Sequence, residues 1–152
     1  TGFSLDPASP NIIKPGKRPA HTLNAFTAVN PDGTLYLVGG TPGANIQVQT
    51  NLQLITNVVD LKMNVQEATE APRWQHLNAP GQSTTEEAGR GVLEIENRVP
   101  TAVLDELRDK GHDVKELAAW GHGSSVQLMQ VLPNATYAFG SDPRCEGHAA
   151  GI

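Results

Sequence analysis

"TLYLVGGTPGANIQVQTNLQLITNVVD", residues 34–60, carries the change of period on which the fold turns. Residues 34–40 are a run of β-forming side chains. From 45 to 60, Val48, Leu52, Ile55 and Val59 recur at steps of four, three and four, which puts them on one face of a helix. Between the two lies a corner made of Gly39, Gly40, Pro42 and Gly43. The stretch therefore reads strand, glycine-rich turn, helix. Upstream, "NAFTAV" (24–29) is a second β-rich run, and Asn30-Pro31-Asp32-Gly33 between them has the chemistry of a type I turn closing on a glycine at positive φ. A β-hairpin is expected over 24–40.

The same reading extends outward. Asn64 with Glu67 three positions on is a capping-box pattern for a short helix that must end before Pro72. Residues 77–90 are a polar loop, and "VLEIE" (92–96) is a short strand. "TAVLDELRDKG" (101–111) is a helix with Pro100 at its entry and Gly111 as its left-handed stop. Two strands follow, 125–132 and 136–140, joined by a Pro-Asn turn. Strands in hairpins with helices between them define an α+β class or a layered α/β sandwich. Residues 1–23 hold four prolines and no periodicity, so they are expected as an extended arm.

A chain of 152 residues fits one domain with a real core, and 38% apolar against 18% charged residues is a globular balance. The net charge of −5 argues against a nucleic-acid partner or an anionic membrane surface. No apolar run is long enough to span a bilayer, and no solenoid-like repeat is present. A single cysteine, Cys145, excludes an internal disulfide. No cofactor is expected. His76, His112, His122 and His148 with Cys145 show no zinc-like spacing, so no metal site is expected and these read as ordinary surface and turn histidines.

The glycine-rich corner raises the chemical question. A phosphate loop of the Walker type needs Gly-Lys-Ser/Thr at its end; here Gly43 is followed by Ala44-Asn45, with no lysine before Lys62. The dinucleotide fingerprint fails on the spacing of Gly39, Gly40 and Gly43. Two readings remain: backbone N–H groups at a helix start that hold a small anion or a developing oxyanion, or a corner where glycine merely permits the turn.

"FSLDPASPN", "GKRPAHTLNAFTAV", "GGTPGANIQVQTNLQLITNVVD", "NVQEATEAPRWQH" and "GSDPRCEGHAAG" occur in an order and spacing that resembles the γ-glutamyltranspeptidases, with their cephalosporin-acylase-like and oxamate-amidohydrolase-like relatives. The likeness covers essentially the whole chain. It implies an N-terminal-nucleophile hydrolase: a precursor that cleaves itself, a four-layer αββα sandwich, and a newly exposed N-terminal threonine whose own amine is its base. The chain resembles the C-terminal portion of the small subunit. Thr1-Gly2-Phe3-Ser4 aligns with the family's Asp-Asp-Phe-Ser turn, so the nucleophile is expected upstream in a Thr-Thr-His-like segment. The implied partners are the rest of the precursor (large subunit and N-terminal part of the small subunit) and a small amide substrate. A bacterial periplasmic or cytoplasmic location is implied.

The resemblance also implies site residues. The family's oxyanion hole is a Gly-Gly pair in a Ser-Pro-Gly-Gly turn; the matching positions are Gly43 and Ala44 in Thr41-Pro42-Gly43-Ala44. Backbone amides do this work, so alanine is compatible if its φ is negative. Glutamyl-specific members hold the substrate α-amine with an aspartate where Gly2 stands, and the α-carboxylate with a Ser-Ser pair where His21 and Thr22 stand. An acyl group lacking the α-amine is therefore expected. Arg144 is expected to anchor the C-terminal turn through carboxylates, Lys17-Arg18 to brace the arm, and Trp74 and Trp120 to be core or interface residues. A non-catalytic remnant serving as a binding or scaffold domain is the alternative.

Overall fold

The computed structural model describes residues 3–18, 23–77 and 91–150. Strands β1 (Ala25–Val29) and β2 (Leu35–Gly40) form the expected hairpin. Its turn is fastened by side chains: the amide and the hydroxyl of Thr34 both donate to Asp32 Oδ1, at 2.9 and 2.6 Å, and Gly33 takes φ 85°. The second hairpin, β6 (Gln127–Val131) with β7 (Tyr137–Ser141), repeats the device, Thr136 donating its amide and hydroxyl to Asn134 Oδ1. All neighbours in the resulting sheet, ordered β1-β2-β6-β7, are antiparallel.

Helices α1 (Gln47–Val59) and α2 (Val65–Glu70) cover one face of this sheet. The core is Leu37 and Leu128 from the strands, Leu54 and Val58 from α1, Val65 and Ala68 from α2, and Val126. Each such large side chain withdrawn from water contributes roughly 1.5–3 kcal/mol. The capping box at Asn64 is complete, Asn64 Oδ1 accepting from the Glu67 amide at 2.9 Å and Glu67 from the Asn64 amide at 3.0 Å. Helix α2 lies so close to β7 that a Cβ on Gly140 would sit 2.3 Å from the Val65 carbonyl oxygen.

The phase of α1 differs from the simplest reading of its sequence. Its buried residues are Gln47, Thr50, Asn51, Leu54 and Val58, while Val48 and Leu52 are 69% and 58% exposed. The two stripes lie roughly 110° apart around the helix. Leu54 and Val58 fill the core; the Val48–Leu52 stripe faces out.

Two strands lie outside the sequence expectation. β3 (Trp74–Leu77) and β5 (Asp113–Leu117) flank β4 (Val92–Glu96) in a second sheet, β3 antiparallel and β5 parallel to β4. Helix α3 (Thr101–Asp109) makes the crossover, entered at Pro100 and stopped at Gly111 with φ 90°. Leu77 closes β3 rather than opening the expected loop; the rest of that loop, 78–90, lies outside the described residues. The described part of the arm folds on itself through a Ser4–Ile12 bridge, and Lys17 donates to the Pro10 carbonyl. The class is α+β.

Candidate active site

After β2 the chain turns through Thr41-Pro42 into a single 3-10 turn, Ala44–Ile46, that runs on into α1. Gln47 at the start of α1 reaches back, its Nε2 donating to the Thr41 carbonyl at 3.0 Å. Gly43 has φ 136° and a Cβ there would fall 2.8 Å from Ile46 Cγ1, so only glycine fits. The Gly43 carbonyl accepts from the Ile46 amide at 3.1 Å. The N–H groups of Gly43 and Ala44 meet no acceptor among the described residues. Ala44 has φ 49°, so the negative angle set as the condition for alanine at this position is not met: it is a non-glycine residue in the left-handed region, at a strain of about 1–2 kcal/mol. Two free amides at the positive end of a helix, on a turn that holds strain, can stabilise a negatively charged oxygen.

Beneath the turn lies a buried polar chain. Ser124, 1% exposed, has its Cβ 3.5 Å from where a Cβ on Gly43 would be. Its hydroxyl is 3.0 Å from Thr50 Oγ1 in the first turns of α1 and 2.8 Å from His122 Nδ1. The Ser124 amide also points at Nδ1, at 3.2 Å. An amide only donates, so Nδ1 is the bare nitrogen and the imidazole carries its hydrogen on Nε2. The hydroxyl chain then has one direction: Thr50 donates to Ser124, and Ser124 to His122. Burial, then the neighbouring Arg73 charge, pull the His122 pKa down to about 4, so the ring is neutral near pH 7. His122 is thus buried at 4% exposure rather than a surface histidine.

A charged cluster backs this chain. Arg73 donates Nη1 to the Ser124 carbonyl at 2.9 Å and Nη2 to the Thr69 carbonyl. Its Nη1 also stands 2.7 Å from Asp142 Oδ2, an ion pair whose angles do not make a hydrogen bond. Arg144 binds both Asp142 and Glu96, and its Nη1 and Nη2 donate to the Thr69 and Ala71 carbonyls. Arg98 reaches Glu96 at 2.7 Å. Burial alone would raise the Glu96 carboxyl, but hydrogen bonds from Arg144 and Arg98 outweigh it and hold it below the usual range. Glu96 Oε1 also accepts the His122 amide at 3.2 Å. The expected anchoring of the C-terminal turn by Arg144 is what the geometry shows. Trp120, 43% exposed, stacks over Arg98 with the guanidinium carbon 3.6 Å from the ring centroid.

Of the residues singled out from sequence, Gly43 and Ala44 form the turn. Gly2, His21 and Thr22 lie outside the described residues. Ser124, Thr50 and Glu96 went unread; the one signal was the pair of glycines around His122 in "GHGSS", which marks a tight connection.

Solved structures share this fold. Gamma-glutamyltranspeptidase from Pseudomonas nitroreducens superposes with a TM-score of 0.70 at 26% identity, over 95% of this chain and 69% of that one. Cephalosporin acylase from Bacillus halodurans gives 0.70 at 29% identity, over 97% of this chain and 27% of that one. The fold is therefore that of the γ-glutamyltranspeptidase type of N-terminal-nucleophile hydrolase. The family model for gamma-glutamyltranspeptidase matches residues 1–152, and the chain belongs to that family. The oxamate amidohydrolase proenzyme of Klebsiella pneumoniae is 37% identical over 98% of this chain. The glutathione hydrolase proenzyme of Escherichia coli is 33% identical over 93%. The chain spans about a quarter of the length of these curated relatives, 27% and 24% respectively.

Proposed function

We propose that this chain is the C-terminal portion of the small subunit of an amide-cleaving hydrolase or acyltransferase, whose nucleophile is an N-terminal threonine upstream of residue 1. In this reading the threonine hydroxyl attacks the substrate carbonyl, the threonine α-amine takes its proton, and the tetrahedral oxygen is held by the amides of Gly43 and Ala44. The amine half leaves, and water or an acceptor amine releases the acyl group. The observation that carries the reading is the strained turn with two N–H groups that meet no acceptor among the described residues. The relatives' names, proenzymes of an oxamate amidohydrolase and a glutathione hydrolase, support amide chemistry.

The remainder of the precursor is the proposed partner. It would cover the Val48–Leu52 stripe and the open face of the first sheet. There Val38, Met129 and Phe139 stand in register on neighbouring strands, and a groove of about 670 Å³ runs between them and residues 146–150. For the acyl group, Gly2 lacks the anion that an α-ammonium group needs, so a donor without that amine is proposed. The test is expression of the full-length precursor. The reading requires cleavage that creates a threonine N-terminus upstream of this segment, seen by intact-mass spectrometry, together with amide hydrolysis. A precursor that stays whole and hydrolyses no amide overturns it.

A further inference from the structure

We infer that Ser124 is a positioning residue for the Gly43–Ala44 turn, held in place from both sides by Thr50 and His122. The inference rests on the reading of that turn as an oxyanion hole, and it concerns what keeps the hole in register.

Gly43 has no side chain of its own and takes its footing from what it lies against. Its Cβ side meets Ile46, in the same turn, and Ser124, 81 residues away in the sequence. Ser124 is therefore a point where a distant part of the chain stands against the turn. Four bonds fix it: Thr50 to its hydroxyl, its own hydroxyl and its own amide to His122 Nδ1, and Arg73 to its carbonyl. Thr50 is 0% exposed and stands on the helix that leaves the turn. One hydroxyl-to-hydroxyl bond thus locks the helix start and the 122–124 segment together around Gly43.

Packing alone does not call for this chemistry. Valine fills the volume of threonine, so the hydroxyl adds a directed bond that packing does not require, with a modest net contribution to stability. Direction does matter here, because a hydrogen bond fixes position to a few tenths of an ångström where dispersion contact does not. Oxyanion donors must stand 2.7–3.1 Å from the developing charge. Supporting contacts set sites of this kind to within about 0.5 Å.

The test uses the complete, processed enzyme and four variants: Thr50→Val, Thr50→Ser, Ser124→Ala and Gly43→Ala. Thr50→Val and Ser124→Ala are each expected to lower kcat about tenfold with KM within twofold, since a displaced oxyanion donor weakens transition-state binding alone. Thr50→Ser, which keeps the hydroxyl, should restore kcat to within twofold. In a Gly43→Ala background, where the turn is already displaced, adding Thr50→Val should change kcat by less than twofold. If Thr50→Val and Ser124→Ala both retain kcat while Gly43→Ala loses a hundredfold, the inference is overturned and the oxyanion reading stands. Equal losses from Thr50→Val in both backgrounds overturn it too, because the effect then bypasses the turn. If Gly43→Ala itself keeps kcat within twofold, the oxyanion reading fails first and this inference with it.

Discussion

Arg144 grips Glu96 with two parallel bonds, Nε to Oε1 at 2.7 Å and Nη2 to Oε2 at 2.5 Å, across 48 residues of sequence. Neither side chain is more than 1% exposed. This fork joins the end of β4 to the turn after β7, and so joins the second sheet to the first. A buried pair of this kind adds little over an apolar pair, but removing one partner strands the other.

Glu96→Gln should therefore be among the most damaging substitutions in the chain. It would leave Arg73, Arg98 and Arg144 with Asp142 as their one carboxylate in the cluster. A loss of about 3–5 kcal/mol is expected, read as a fall in the urea midpoint of the complete enzyme. Arg144→Lys should recover only part of it, since an ammonium cannot make the fork. A midpoint unmoved by Glu96→Gln would show that the cluster does not hold the two sheets together.

His122 gives the stability a pH dependence of definite sign. Its folded pKa of about 4 lies below the ordinary 6.5, so between those values the unfolded chain binds the extra proton. Stability is then fully present above pH 6.5 and falls as pH drops toward 4, by on the order of 3 kcal/mol for the whole window. The groups acting on the ring are Arg73 and Arg144, which disfavour its charge, and Glu96 and Asp142, which favour it. Glu96, held below 4.5, contributes a further loss only below that value. His122→Asn keeps an acceptor for Ser124 without titrating. Melting temperatures of the complete enzyme from pH 4 to 7 should show a shallower slope in this variant; an unchanged slope would remove His122 from the account.

Ala44→Gly should relieve strain at φ 49°. The gain is up to about 1 kcal/mol, partly offset by the greater freedom of glycine in the unfolded chain. Turnover should stay within a few-fold, because the amide is retained. A clear destabilisation, measured by thermal melting, would mean that the methyl group has a contact that outweighs its backbone cost.

The acyl preference is tested with two chromogenic donors. With Gly2 where an anion would be needed, glutaryl-p-nitroanilide should be preferred over γ-glutamyl-p-nitroanilide, by tenfold for each ~1.4 kcal/mol of unpaired charge. Gly2→Asp should shift the ratio toward the glutamyl donor. A tenfold preference of the unmodified enzyme for the glutamyl donor would place the amine-binding group elsewhere.

Residues 1–152 produced alone should bind hydrophobic dyes or aggregate. Val48 at 69% exposure, Leu52 at 58% and Phe139 at 42% present apolar surface that a folded domain does not normally leave open. A soluble, cooperatively melting monomer with no dye binding would count against an obligatory partner.

What was legible in the sequence was what neighbouring residues settle among themselves. Asn30-Pro31-Asp32-Gly33 and Asn64 with Glu67 spell out their turn and cap within four positions, and Gly43 is dictated by its own backbone and Ile46. β5 was not legible because Asp113-Val-Lys-Glu-Leu alternates weakly and gains its strand character from parallel pairing with β4. β3 is four residues long and owes its pairing to the same strand. In α1 two apolar stripes compete, and only the sheet decides that Leu54 and Val58 go inward. Ser124 meets Thr50 across 74 residues, a distance over which periodicity carries no signal.

Trp120 gives the cluster an optical readout. Its indole lies against the Arg98 guanidinium, with Arg144 5.0 Å from the ring centroid, so the same cations that hold Glu96 also set the electric field at the ring. The chain has one other tryptophan, Trp74. With Trp74→Phe, and with any tryptophan elsewhere in the precursor likewise replaced, the emission of Trp120 would report the opening of the Glu96 network separately from the melting of the hairpin sheet. The order in which the two sheets part company then becomes a spectroscopic observable.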